Sequence, residues 1–330
     1  MIDLHLHLDG SLDVDTILYL AQHDGVALPA WDAKGLRPYI TAVGGKGLSG
    51  YLRCFDLPLR VLQTPFSLTY AVSNLIERLD VEGMRYAEIR FAPQLHAQNG
   101  MSQREAVEAA LRGVEQGVGR SRHMRAQLIL CCMRGAENQL ENEQTVRLAG
   151  EYLGSGVVAV DLAGAEGEYP TADYRALFAE AARLGIPFTI HAGEADGAQS
   201  VRAAVEFGAR RIGHGIRMCE DEDVMELVIE QGIALELCPS SNIQTGAVHS
   251  LREYPIRRFL NAGVIATVNT DNRTVSGTTI KKELALLRQG ISLTAEEEKM
   301  LLLNAIYASF LPEEEKQTLS EQIYVHGCYV

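Results

Sequence analysis

The sequence has no Cys-x-x-Cys pair, no apolar run long enough to cross a membrane, and no glycine-rich dinucleotide fingerprint after its first apolar segment. Each absence excludes a class. Without paired cysteines, a thiolate zinc finger is not expected. Without an apolar stretch of about 20 residues, no transmembrane helix is expected. Without the fingerprint, an open dinucleotide-binding sheet loses its main support. Positive charge is also scarce: 30 Lys and Arg stand against 43 Asp and Glu, a formal net charge of −13. An acidic surface disfavours phosphate backbones, so nucleic acid is not an expected partner. A neutral or cationic small molecule suits it better. No charged-then-apolar leader precedes the first motif, so a cytoplasmic protein is expected. In that setting the six cysteines read as reduced thiols behaving as small buried hydrophobes.

What is present is an alternation. Short apolar, β-rich runs occur at 2–8, 84–91, 126–133, 156–162, 186–191, 211–214, 233–238 and 265–270. Helical patterns lie between them, at 103–119, 141–153, 171–184, 198–208, 221–231 and 252–262. Gly185, Gly208, Gly232 and Gly263 sit where helix C-caps belong. Alternating strand and helix implies a parallel sheet, and eight repeats in 330 residues imply closure into a (β/α)8 TIM barrel. About seventy-five residues separate the first two strands, too many for a plain crossover, so a helical insertion follows strand 1. From about residue 281 the tail reads as helices, with Thr294-Ala-Glu-Glu-Glu and Leu311-Pro-Glu-Glu-Glu as starts carrying acidic first turns.

Polar residues at strand ends carry the chemistry. In Ile2-Asp3-Leu4-His5-Leu6-His7-Leu8-Asp9, alternation predicts the leucines on one face and Asp3, His5, His7 and Asp9 on the other. A lone strand-end histidine is usually structural. Two on one face, joined by His191 ending strand 5, His214 following strand 6 and Asp271 following strand 8, point to one metal site. Three histidines and an aspartate suit Zn²⁺, with iron or cobalt as alternatives. His214 is either a further ligand or the group that orients the attacking hydroxide. Glu194, three residues past His191, is placed to shuttle a proton, although a solvated loop carboxylate is the plainer reading. Asp9 also reads as a cap for the helix after Gly10-Ser11.

These segments resemble the adenosine deaminase family. The resemblance rests on His5-Leu-His7-Leu-Asp9-Gly10-Ser11-Leu12, His191-Ala-Gly-Glu194, Arg211-Ile-Gly-His214-Gly215, Leu237-Cys-Pro-Ser-Ser-Asn242 and Val268-Asn-Thr-Asp271. Tyr51 to Gln63, Tyr86 to Pro93 and Asn304 to Glu315 are also similar. It spans essentially the whole chain, so residues 1–330 are expected to form a single domain. It implies a (β/α)8 barrel and hydrolytic removal of the 6-amino group of adenosine or 2′-deoxyadenosine. It implies one zinc held by His5, His7, His191 and Asp271, with Glu194 protonating purine N1 and His214 positioning the hydroxide. It implies Gly164 as donor to N3 and Asp9 as partner of the ribose 5′-hydroxyl. Leu48, Tyr51, Leu52 and Phe55 would form an apolar flap, as their spacing of three and four allows on one helical face.

One departure bears on the substrate. The family usually has a second Asp after the metal-binding Asp, where it bonds purine N7; this chain has Asn272. An asparagine amide donates to N7 without needing a protonated carboxyl. Adenine or a modified aminopurine nucleoside is therefore an alternative substrate, and a non-catalytic binding protein on the same fold is a remoter one. The cytidine-type zinc deaminase, with His-x-Glu and Pro-Cys-x-x-Cys, is excluded because both motifs are absent.

Overall fold

Eight short parallel strands form two hydrogen-bonded arcs that meet at both ends. The computed structural model describes residues 1–42 and 47–326, apart from the side chains of 48, 49 and 322–326. The strands are β1 (Ile2–His7), β2 (Tyr86–Phe91), β3 (Arg125–Met133), β4 (Val157–Ala163), β5 (Thr189–Ala192), β6 (Arg211–His214), β7 (Ala234–Leu237) and β8 (Ala266–Val268). One arc runs β1-β2-β3-β4 and the other β5-β6-β7-β8. Parallel bridges from Val160 to Phe188 and from Leu6 to Asp271 join them into a ring. The chain is therefore a (β/α)8 barrel, and each expected segment holds one strand.

The layering follows from burial. β2 and β4 are buried along their whole length, because helices cover one face and the barrel interior the other. Leu6, Ile89, Leu130, Ile190, Ile212 and Leu235 share the main apolar core with the surrounding helices. Burying one such side chain contributes about 1.5–3 kcal/mol. The barrel interior is ionic instead: Glu88, Arg90, Asp161, Arg211 and Glu236 are all fully or almost fully buried.

The insertion after β1 consists of helices Val14–Asp24, Ala33–Ile40, Gly47–Leu52, Asp56–Val61 and Pro65–Val81. Asp13, not Asp9, caps the first of them, its carboxylate accepting from Thr16 N at 2.8 Å. Thr64 caps the last in a reciprocal pair with Ser67. The tail forms helices Ile280–Ile291, Ala295–Ala308 and Glu313–His326, the second capped by Thr294 and Glu297. No described helix is long and apolar enough to cross a membrane.

Three details differ from expectation. The β1–β2 register shifts between Asp3 and Leu6. Leu4 therefore packs with Ile2, Tyr86 and the C-terminal helices, apart from Leu6 and Leu8, so strict alternation fails at one step. The helix expected over 252–262 begins at Ile256, because Pro255 is its N-cap and 250–254 make turns. β8 ends at Val268: the Asn269 side chain accepts from Leu4 N instead, at 2.9 Å.

Candidate active site

His7, His191 and His214 stand at or beside the C-terminal ends of β1, β5 and β6, and Asp271 lies three residues past β8. That end is where this barrel class builds its sites. Backbone strain marks two of them. His214 (φ 62°) and Asp271 (φ 57°) are two of the three non-glycine residues with positive φ among the described ones. Such conformations cost on the order of 1–3 kcal/mol and persist where the surroundings over-determine them.

The side chains converge. Ligand atoms of His5, His191, His214 and Asp271 all lie within 4.8 Å of one another. His7 joins them, its Nε2 3.2 Å from His191 Nε2 and 3.4 Å from Asp271 Oδ1. His5 Nε2 lies 3.3 Å from Asp271 Oδ1. Burial, opposed by Asp271, holds the His7 imidazole well below its usual range, so it is neutral near pH 7. Burial alone would raise the Asp271 carboxyl, but His5, His7 and His214 outweigh it and hold it well below the usual carboxylate range.

A second layer orients these rings. His5 Nδ1 bonds Glu236 Oε2 at 2.7 Å, and His191 Nδ1 lies 2.9 Å from Asp161 Oδ2. A carboxylate only accepts, so each Nδ1 carries the proton and each Nε2 keeps a lone pair turned toward the shared point. Arg90 bridges the two carboxylates, at 3.0 Å from Asp161 and 2.9 Å from Glu236. Arg211 holds Glu236 at 2.6 Å and also pairs with Glu88.

A divalent cation fits this cluster on two grounds. His5 Nε2 is buried with no hydrogen-bond partner, an arrangement that is unfavourable unless something binds there. Charge agrees in sign: Arg90 and Arg211 are outnumbered by the carboxylates of Glu88, Asp161, Glu236, Asp271 and Glu194 in the same network. The excess negative charge is what a bound cation would offset.

Glu194 lies beside this point and is partly exposed. Its Oε1 accepts from Asn242 Nδ2 and Thr245 Oγ1, each at 3.3 Å, and its Oε2 is 3.6 Å from His214 Nε2. The Asn242 contacts decide the tautomer of His214. Asn242 Oδ1 accepts from the Tyr254 hydroxyl at 3.1 Å, which turns its NH₂ toward His214 Nδ1 at 2.9 Å. A nitrogen facing a donor presents its lone pair, so the ring proton is on Nε2. His214 thus offers the site an N–H. Of the two roles open in the sequence, ligand or orienting donor, this favours the donor.

A cavity of about 260 Å³ opens above the cluster, lined in part by Asp9, Tyr51, Leu52, Phe55, Gly164 and Asn272. The structure therefore brings together every residue singled out in the sequence, except that the side chain of Leu48 lies outside the described ones. Tyr51 is buried, whereas Leu52 is 44% exposed, so the apolar face is only partly closed over the cavity. Burial pushes the Asp9 carboxyl up to about 6, against the bond it accepts from Gly10 N. Asn272 donates to the Tyr51 hydroxyl at 3.0 Å, and its Oδ1 is buried without a partner.

Gly10 makes room for Asn272. A Cβ there would lie 1.9 Å from Asn272 Oδ1 and 2.7 Å from Asn272 Cβ. Gly10→Ala is expected to force the two apart and lower stability by about 1–3 kcal/mol. A denaturant titration reads this as a lower midpoint at unchanged slope, and an unchanged midpoint would contradict the close approach.

Sequence reasoning gave no role to Arg90, Asp161, Glu166, Glu236, Asn242 or Thr245. A usable signal was there for three of them. A charged residue inside an otherwise apolar strand, as in Tyr86-Ala-Glu-Ile-Arg90-Phe, Val157-Val-Ala-Val-Asp161 and Ala234-Leu-Glu236-Leu, must be paired when buried.

A family model described as adenosine deaminase matches residues 1–326. A curated protein named adenosine deaminase from Haemophilus ducreyi is 52% identical over 98% of this chain and 95% of its own length. The chain is also similar to the crystal structure of an adenine deaminase from Arthrobacter aurescens, at 27% identity and TM-score 0.88, covering 98% of this chain and 97% of the other. An N6-mAMP deaminase of Arabidopsis superposes at TM-score 0.86 with 26% identity, covering 97% and 96%.

Proposed function

We propose that this chain, which belongs to the adenosine deaminase family, removes the 6-amino group of adenosine and 2′-deoxyadenosine by hydrolysis, releasing ammonia and the 6-oxo nucleoside. The observation that carries the proposal is the convergence of His5, His7, His191, His214 and Asp271 beside Glu194 under one cavity. The proposal treats residues 1–330 as one catalytic unit, since the helices Ala295–Ala308 and Glu313–His326 pack on Ile2, Leu4 and Tyr86 of the barrel itself.

We assign the cation as zinc, one per chain, held by His5, His7, His191 and Asp271. Three imidazoles and a carboxylate form a donor set suited to it. When bound, it supplies the Lewis acidity that brings the pKa of a water toward neutrality. The chain's own residues do the rest. His214 donates its Nε2 proton in a hydrogen bond to the incoming oxygen and directs it at C6. As the C6–O bond forms, the C6=N1 π pair moves onto N1, which takes the proton carried by Glu194. The proton left on the added oxygen then passes by way of the Glu194 carboxylate to the amino nitrogen, and the C6=O bond forms as the C6–N bond breaks and ammonia leaves. Asn242 and Thr245 hold the Glu194 carboxyl in place. The Gly164 amide meets N3, the Asn272 amide meets N7, and Asp9 accepts from the 5′-hydroxyl. Tyr51, Leu52 and Phe55, continued by Leu48, cover the nucleoside and limit water.

Asn272 favours a second reading, in which the substrate is adenine or a modified aminopurine nucleoside. One ultraviolet assay across adenosine, 2′-deoxyadenosine, adenine and AMP separates the readings, because losing the amino group changes the ring absorbance. Adenosine is expected to give the highest kcat/KM. AMP is expected to fall at least about 100-fold below it, since a phosphate beside the Asp9 carboxylate places like charges together at several kcal/mol. Preference for adenine selects the second reading, and preference for AMP overturns the role given to Asp9. A metal-loaded protein inert to a wide panel of aminopurines would leave only the non-catalytic binding protein.

A further inference from the structure

Glu166 is the most heavily bonded carboxylate at this end of the barrel, and none of the steps above uses it. It is almost fully buried. Its Oε1 accepts from Gly193 N at 2.6 Å and Ser200 Oγ at 2.5 Å. Its Oε2 accepts from Glu194 N at 3.0 Å, Ala195 N at 2.7 Å and Asp196 N at 3.0 Å. Five donors on one carboxylate fill its accepting capacity. Four of them are consecutive backbone N–H groups that belong to neither strand nor helix, so Glu166 supplies the partners this loop otherwise lacks. The turn toward Glu166 needs Gly193, whose φ is +70° and where a Cβ would lie 2.5 Å from Val201 Cγ2.

We propose that Glu166 is a positioning residue for proton delivery, clamping the backbone of 193–196 so that the Glu194 carboxyl is held at the purine N1 position. This rests on the deaminase reading above. Glu166 follows Gly164 by two residues and grips Glu194 through its amide, so it ties the loop after β4 to the loop after β5. In the proposed pose these loops meet N3 and N1, two atoms of one six-membered ring, whose separation is rigid. Misplacement by about 1 Å at a reacting group can reduce rate about 100-fold. Glu166 needs no substrate contact to matter, because both of its oxygens are already occupied by the loop.

The test is Glu166→Gln in the full-length zinc-loaded protein. An amide turns N–H groups toward at least one of the donors the carboxylate accepted from, and the loop loses its clamp. The expected result is a fall in kcat for adenosine of about 100-fold, with KM within about threefold and one metal retained per chain. 1-Deazaadenosine, which has no N1 to protonate, should bind with its affinity changed by less than about threefold, because the clamp acts on proton delivery and not on docking. In a Glu194→Gln background the Glu166 substitution should add little further loss, since residues acting as one unit are non-additive. Equal factors in both backgrounds, or loss of metal, would overturn the proposal. Should Glu166→Gln not fold, Ser200→Ala removes one donor from Oε1 alone. A lower kcat at unchanged KM then supports the proposal, and an unchanged kcat overturns it. Unaltered protein inactive on every aminopurine would overturn the deaminase reading and this inference together. Activity with no effect of either variant would overturn this inference alone.

Discussion

Glu194→Gln is expected to lower turnover of adenosine by about 10²–10⁴-fold, the usual contribution of a positioned general acid, while the cation stays bound. The substitution is nearly isosteric. Its carbonyl oxygen can still accept from Asn242 and Thr245, which reach Glu194 Oε1 at 3.3 Å. What disappears is the transferable proton. No metal-ligating atom is removed, since the proposed ligands are His5, His7, His191 and Asp271, which converge beside Glu194. The ultraviolet assay reads kcat, and elemental analysis of the same sample reads metal content. Undiminished kcat would remove Glu194 from the chemistry. Loss of metal together with activity would move it into the ligand set.

Stripping the cation with a chelator is expected to abolish turnover, and adding zinc back to restore it. The physical reason is the lone pair that has no other use. His5 Nε2 is buried without a partner, and its tautomer is fixed by Glu236 on the far side of the ring. Removing the dication also leaves the excess negative charge of the cluster uncompensated. Stability should therefore fall with activity. At a free metal concentration about 100-fold above Kd, binding stabilises the native state by about 2.7 kcal/mol. Thermal melts with and without zinc check this. Full activity in protein holding well under one metal per ten chains would overturn the metal-centred mechanism.

Much of this architecture was legible because two periodicities are local. Apolar β-rich runs alternating with helical patterns give eight strands, and Thr294 with Glu297 marks a helix start from four residues of sequence. His5 and His7 stood out for a related reason, as imidazoles two apart that alternate with leucines along the strand. Helix boundaries were less legible where a turn competes, as before Ile256. The β1 shift was invisible, because a bulge depends on the partner strand and not on the strand that carries it.

The linear chain by itself determined the barrel class and singled out the histidines and the aspartate that the structure brings together, because strand periodicity and side-chain chemistry can be read locally. Only the tertiary structure decided how those ligands are used. Glu236 lies 231 residues from His5 and Asp161 lies 30 from His191, yet they set which nitrogen of each ring is free. Asn242 sets the tautomer of His214 from 28 residues away, and Glu166 grips the loop of Glu194 from 28 away. Hydrogen-bond direction and charge balance are relations across a closed ring of strands, and no spacing along one strand encodes them.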